Sequence, residues 1–171
     1  MRILGIDPGS RYTGFGIIDI SRYNDYSYIV SGVIKTNPKN SLPLKINTLA
    51  TSIQEIIDTY HPDEVAIEQI FININSATSL ILGQARGGIL AAVSLKKIPI
   101  YEYTALQVKK AVVGNGKASK KQVQHMLVNM LKLSATPTPD AADAIAVAFT
   151  HSLNRVSSTR KFFYLNKKEV L

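Results

Sequence analysis

The stretch Ile3–Gly14, ILGIDPGSRYTG, constrains this chain more than any other. An apolar run ends in a single carboxylate, Asp7, and Pro8-Gly9-Ser10 forces a turn before Gly14 opens a second apolar run. A carboxylate at the end of a buried strand is costly unless a cation offsets it. That cation is a lysine, an arginine or a metal, and each choice implies different chemistry.

Arg2–Asp7 and Tyr12–Ile20 read as two strands joined by that turn, and Tyr26–Lys35 as a third after the polar break Ser21–Asp25. Their short connections favour antiparallel pairing. Asn37-Pro38 and Pro43 mark a loop. Over Leu44–Tyr60, Ile46, Leu49, Ile53, Ile56 and Ile57 recur at helical spacing until His61-Pro62-Asp63 ends the pattern. Glu64–Gln69 is a short strand reached through a helix, and so parallel to the first. A helix over Asn73–Lys97, a strand at Pro99–Tyr103 and a helix at Thr104–Val113 follow. Beyond the turn-rich Gly114–Ser119, helices are expected over Lys120–Leu133 and Asp140–Leu153, joined by the linker Ser134–Pro139. This order implies an α/β fold, a mixed sheet with helices on both faces. One domain spans residues 1–153, and 154–171 is a basic C-terminal tail open to disorder.

A chain of 171 residues suits one core. With no cysteine, disulfides, thiolate zinc sites and cysteine nucleophiles are excluded. The apolar runs stop short of a membrane span and the N-terminus lacks the parts of a signal peptide, so a cytoplasmic protein without a membrane partner is expected. The net charge of +8 is unevenly placed. No acid occurs from Tyr103 to Pro139, where Lys109, Lys110, Lys117, Lys120, Lys121 and Lys132 all fall. One positive face suited to a polyanion follows.

Asp7 and Glu68 each lie at or near the C-terminal end of an apolar strand, the edge where ligand sites form in open α/β sheets. Asp140 and Asp143 are three apart at a helix start and share a side of its first turn. Taken singly, each acid has a simpler role. Asp7 suits a turn, Glu68 a lysine partner, Asp140 an N-cap and Asp143 a capping box. Taken together, carboxylates that close repel one another, and a divalent magnesium ion relieves the repulsion.

GIDPGSRYTGFG (Gly5–Gly16), AIEQIF (Ala66–Phe71), LGQARG (Leu82–Gly87), YTALQVKKAVVGNG (Tyr103–Gly116), KKQVQHM (Lys120–Met126) and DAADAIAVAFTH (Asp140–His151) together resemble the RuvC-type Holliday junction resolvases. Six blocks in register, from about Arg2 to His151, carry the likeness. The resemblance implies a ribonuclease-H-like fold, with three antiparallel strands followed by two parallel ones. It also implies a homodimeric endonuclease that makes paired symmetric nicks in four-way DNA junctions during recombination and repair. The family's catalytic acids fall on Asp7, Glu68, Asp140 and Asp143. They are expected to hold one or two magnesium ions per subunit, with manganese as a substitute. Some relatives carry histidine at the last position, so Asp143 implies an all-carboxylate site.

By the same resemblance Lys120 stands near the cleaved phosphate, Lys109 contacts DNA, and Phe71 stacks on a base near the crossover. Lys117 and Lys121 enlarge the basic loop, and Arg86 is expected to contact phosphate, its alternative being an ion pair with a buried acid. Tyr12 and Tyr103 are expected in the packing. Junction-binding and branch-migration motor proteins are the implied partners, and the glycine-containing Asn73–Lys97 helix is the candidate dimer interface. Asp7-Pro8-Gly9-Ser10 also resembles the phosphate loop of actin-like sugar kinases. Those enzymes need two related domains and a second loop, for which this chain has neither the length nor the repeat.

Overall fold

Alternation along the first strand decides the layers of this molecule. In β1 (Arg2–Asp7), Leu4 and Ile6 enter a core with α1 (Leu42–Tyr60) and α2 (Ser76–Leu95). Ile3 points the other way, into a core with α3 (Ala105–Val113), α4 (Lys120–Met130) and α5 (Pro139–Asn166). The structure, a computed structural model, describes residues 1–21, 25–70 and 76–166, with side chains as far as Arg155.

With β2 (Tyr12–Ile20), β3 (Tyr26–Lys35), β4 (Glu64–Glu68) and β5 (Ile100–Tyr103), β1 forms a sheet of order β3-β2-β1-β4-β5. The β1–β2 and β2–β3 pairs are antiparallel, and β1–β4 and β4–β5 are parallel. This is the mixed ribonuclease-H-like sheet expected from the sequence.

On the α5 side three glycines remove the side chains that would hold the helix away. A Cβ on Gly5 would stand 2.1 Å from the Ala144 carbonyl oxygen, and one on Gly14 would stand 1.9 Å from that of Asp140. On Gly16 it would meet Ile145 Cγ1 at 2.6 Å. The helix answers with small residues, and Ala141, Ala144 and Ala148 are all buried. Backbone lies almost on backbone, so α5 has little freedom to slide.

Farther along α5, a buried polar cluster ties the helix to β4 and β5. His151 Nε2 is 2.6 Å from Glu64 Oε2, and its Nδ1 is 2.7 Å from the Tyr103 hydroxyl. Tyr101 stacks on the imidazole with centroids 4.3 Å apart, and Arg155 pairs with the other Glu64 oxygen at 2.6 Å. Burial lowers the His151 pKa, against the opposing pull of Glu64. Tyr103 packs as expected, whereas Tyr12 is 48% exposed beside Arg11.

The start of α1 and the end of α5 differ from the sequence expectation, while α1 ends at His61 as expected. Pro43 lies in the first turn of α1, where a residue without an N–H costs nothing, rather than in the loop before it. His61 ends that helix in the left-handed conformation, its N–H bonded to the Ile57 carbonyl. Helix α5 runs to Asn166, well past Leu153, since neither glycine nor proline interrupts it after Pro139. The backbone of 154–166 is therefore helical.

Candidate active site

The parity that places Ile3 and Gly5 under α5 places Asp7 there too. In β4 the same rule turns Val65 and Ile67 toward α1 and α2, leaving Glu64, Ala66 and Glu68 on the α5 face. The β1–β4 register runs Ile6↔Ile67, so Asp7 and Glu68 come one step later on adjacent parallel strands. Asp7 also pairs with Gly14, and the missing Gly14 side chain is where the first turn of α5 sits, bringing Asp140 and Asp143 over the strand ends. The four expected acids are thus gathered by strand parity, register and glycine.

Their crowding shows in their electrostatics. Burial first, then the charges of Glu68, Asp143 and Asp140, push Asp7 up to about 7 against the opposing pull of Lys120. Glu68 is also raised, first by burial and then by Asp143, while Lys120 and Lys109 pull it down. Lys120 bonds the Asp143 carboxylate, and that bond raises its own pKa. Its side chain is 72% exposed while that of Asp143 is 17% exposed, so the lysine reaches in from solvent.

Helix α4 makes that reach possible. Ser119 caps it reciprocally with Gln122, so the helix starts at Lys120. A cation in the first turn opposes the helix dipole, by about 0.3–1 kcal/mol on an exposed surface. The acid cluster offsets this. Thr104 and Gln107 cap α3 in the same way, and both S/T-x-x-Q boxes are legible in the chain although the sequence reading passed over them.

The other expected DNA contacts divide. Lys109 is half-buried and its charge reaches Glu68. Lys117 and Lys121 are exposed, one on the loop before α4 and one in its first turn. Phe71 lies outside the described residues. Arg86, expected to meet a phosphate, instead turns inward and is only 15% exposed. Its guanidinium bonds Glu102 at 2.7 Å and the Glu68 carbonyl at 3.3 Å. An acid at the end of β5 captures it before solvent does.

All four acids offer hard, anionic oxygens, the donors that magnesium or manganese takes. Among the described residues no three acids are drawn into a ready-made chelate, and the cation standing among them is Lys120. The repulsion that raises Asp7 is what a divalent cation would relieve, so the donor set fits such an ion.

Helix α2 is, by length and composition, long and apolar enough to cross a membrane. It buries Ala85, Ile89, Ala92 and Val93 in the core it shares with α1 and the sheet, and carries the Arg86 ion pair at mid-length. Its opposite face leaves Leu80 at 64% and Leu95 at 74% exposure, with Gly87 open between them.

Comparison with known proteins agrees with this geometry. The family described as crossover junction endodeoxyribonuclease RuvC matches residues 3–151. The chain is 58% identical over 153 residues to that protein of Neisseria meningitidis serogroup C, covering 90% of this chain and 85% of the relative. It is 55% identical over 151 residues to that of Chromobacterium violaceum, covering 88% and 85%. Among solved structures, Thermus thermophilus RuvC in complex with Holliday junction substrate superposes with a TM-score of 0.87 at 30% identity, covering 93% of this chain and 97% of that one. The yeast mitochondrial resolvase Ydc2, at 13% identity and a TM-score of 0.67, covers 94% of this chain and 83% of its own, and shares the fold alone. With its matched span reaching from the first buried strand to the middle of α5, this chain belongs to the RuvC family of crossover junction endodeoxyribonucleases.

Proposed function

We propose that the protein resolves four-way (Holliday) DNA junctions by paired symmetric nicks, in homologous recombination and DNA repair. The observation that carries this reading is Asp7. Its carboxylate is driven up to about 7 by burial and three neighbouring acids at the carboxyl edge of the sheet. Such crowding disfavours a bare binding surface for phosphates and suits a site that handles them with a cation.

Asp7, Glu68, Asp140 and Asp143 would hold magnesium or manganese, one or two ions per subunit. When bound, the metal supplies an activated water and neutralises charge at the scissile phosphate and the departing 3′-oxygen. The chain's own groups bind and orient the DNA. Lys120, leaving Asp143 for a phosphate oxygen, places an ammonium where charge builds in the transition state. Lys109, Lys117 and Lys121 hold backbone phosphates. Phe71 stacks on a base beside the crossover, a contact worth ~1–3 kcal/mol.

On a synthetic four-way junction with magnesium, the wild type should release symmetric nicked products. Glu68→Gln should bind the junction and leave it uncut; normal cutting by this variant would refute the assignment. ATP hydrolysis by a wild type that leaves junctions intact would favour the sugar-kinase reading instead. Lys120→Ala should bind with similar affinity and cut about 10²–10³-fold more slowly, the range expected when one transition-state charge donor is lost. An unchanged rate would return Lys120 to the solvated surface.

Two symmetric cuts call for two active sites, and the uncovered face of α2 supplies a homodimer surface. Gly88 already meets Ile46 of α1, leaving Gly87 as the glycine that faces outward. Gly87→Glu adds a side chain into open space and improves helix propensity by up to ~1 kcal/mol, yet sets like charges against each other across a two-fold interface. Its thermal midpoint should hold or rise while sedimentation shows a monomer. A variant that stays dimeric would move the interface elsewhere. Cytoplasmic residence and partnership with junction-binding and branch-migration motor proteins accord with this role.

A further inference from the structure

The geometry points to Arg86 and Glu102 as a positioning pair that sets the orientation of the Glu68 carboxylate from its own backbone. Strand β4 ends at Glu68, paired with Tyr103, and the last backbone bond between the strands runs from Gln69 N–H to the Tyr103 carbonyl at 2.8 Å. That bond holds the N–H edge of the peptide joining Glu68 to Gln69, and the carbonyl edge of the same peptide is the one that Arg86 takes. Arg86 reaches back from α2 to this spot. Its Nε donates to the Glu68 carbonyl at 3.3 Å, and a terminal nitrogen donates to Glu102 at 2.7 Å on the neighbouring strand. One planar fork thereby spans the ends of both strands.

The cations acting on the Glu68 carboxylate are Lys120 and Lys109, whereas Arg86 grips the main chain of that residue. Rotating that peptide would swing the side chain away from Asp7 and Asp143. The Arg86 fork opposes the rotation, and Glu102 anchors the fork. A lysine has a single nitrogen and cannot hold two separated acceptors in one plane. With its side chain 15% exposed, Arg86 has little surface to offer a phosphate. The LGQARG block thus contributes a brace for the catalytic strand.

This inference rests on Glu68 being a catalytic acid, so Glu68→Gln is measured beside the new variants. Arg86→Lys and Glu102→Gln should keep wild-type junction affinity in calcium, with an unchanged dependence of affinity on salt. Under single-turnover conditions with saturating enzyme, Arg86→Lys should cut about 10–100-fold more slowly, as expected when a reacting group is displaced by a fraction of an ångström. Glu102→Gln, at an exposed strand end where it does not threaten folding, should lose at least about 5-fold, and the double variant should be no worse than Arg86→Lys. Free guanidinium should restore part of the rate to Arg86→Ala and none to Glu68→Gln.

Full-rate cutting by Arg86→Lys with Glu68→Gln inactive would overturn the brace alone. Normal cutting by Glu68→Gln would overturn the reading of the site beneath it. Weakened binding with a salt slope shallower by about one would make Arg86 a phosphate contact, and a lower melting temperature with intact single-turnover rate would leave it only structural; both sink the proposal.

Discussion

Asp7→Asn is expected to abolish junction nicking and, in EDTA at pH 8, to melt above the wild type. The first effect should exceed about 10³-fold, because the variant loses an anionic ligand at the centre of the cluster. The second follows from the raised Asp7 pKa, about 7 against an ordinary value near 3.8. Between those values the folded protein binds a proton that the unfolded chain has released, so this group makes stability fall as pH rises through the window. Above pH 7 the charged, crowded carboxylate costs stability, by about 1–3 kcal/mol once its partial exposure is allowed for.

Asparagine removes that cost. The gap in thermal midpoint between variant and wild type should therefore be widest near pH 8 and close toward pH 4. His151 works in the opposite sense: its lowered pKa means that stability is lost as pH falls through it. It is present in both proteins and cancels in the difference. Magnesium at pH 8 should raise the wild-type midpoint by mass action and move the variant much less. A gap that ignores pH, or a variant that cuts normally, would contradict this account of Asp7.

Gly14→Ala should cost about 10²-fold or more in cutting rate, although it changes neither an acid nor a base. The added Cβ would meet the Asp140 carbonyl oxygen at 1.9 Å and the Asp140 carbonyl carbon at 2.6 Å. Both are backbone atoms, so no rotamer change relieves the clash. The first turn of α5 must lift, carrying Asp140 and Asp143 off the strand ends, and a misplacement near 1 Å is worth about 10²-fold. The stability loss should be about 1–3 kcal/mol, the usual cost of overpacking, because the helix end can move where its middle cannot. Gly5→Ala makes the complementary test. Its Cβ meets Ala144 and Ala148 in mid-helix, so it should destabilise more, with the loss read from urea unfolding. Full activity in Gly14→Ala would show that the approach of α5 is not what holds Asp140 in place.

Much of this site was legible before any coordinates. A lone acid closing an apolar strand marked Asp7 and Glu68, and the Asp140/Asp143 spacing marked a shared helical side. The strand and helix order led to the mixed sheet because hydrophobic period and turn residues are local signals. The reading failed where a side chain's direction depended on a distant partner. For Arg86 the chain leaves a phosphate contact and an ion pair both open, and Glu102, a partner 16 residues away in sequence, takes the ion pair. Tyr12 looked like packing because nothing local says that its end of β2 is open to solvent. Helix α5 runs beyond Leu153 because neither glycine nor proline interrupts the chain after Pro139.

The sequence by itself determined which residues could carry the chemistry: four carboxylates at strand and helix ends and an acid-free run of lysines, in blocks whose order marks the family. Only the tertiary structure decided that these acids share one face. Parity turned Asp7 and Glu68 toward α5, and Gly5, Gly14 and Gly16 let that helix settle close enough to bring Asp140 and Asp143 over them. The physical reason is range. Propensity, turn chemistry and periodicity act within a few residues, whereas the distance between a helix and a strand is set by the missing Cβ atoms of residues more than a hundred positions apart from those they admit.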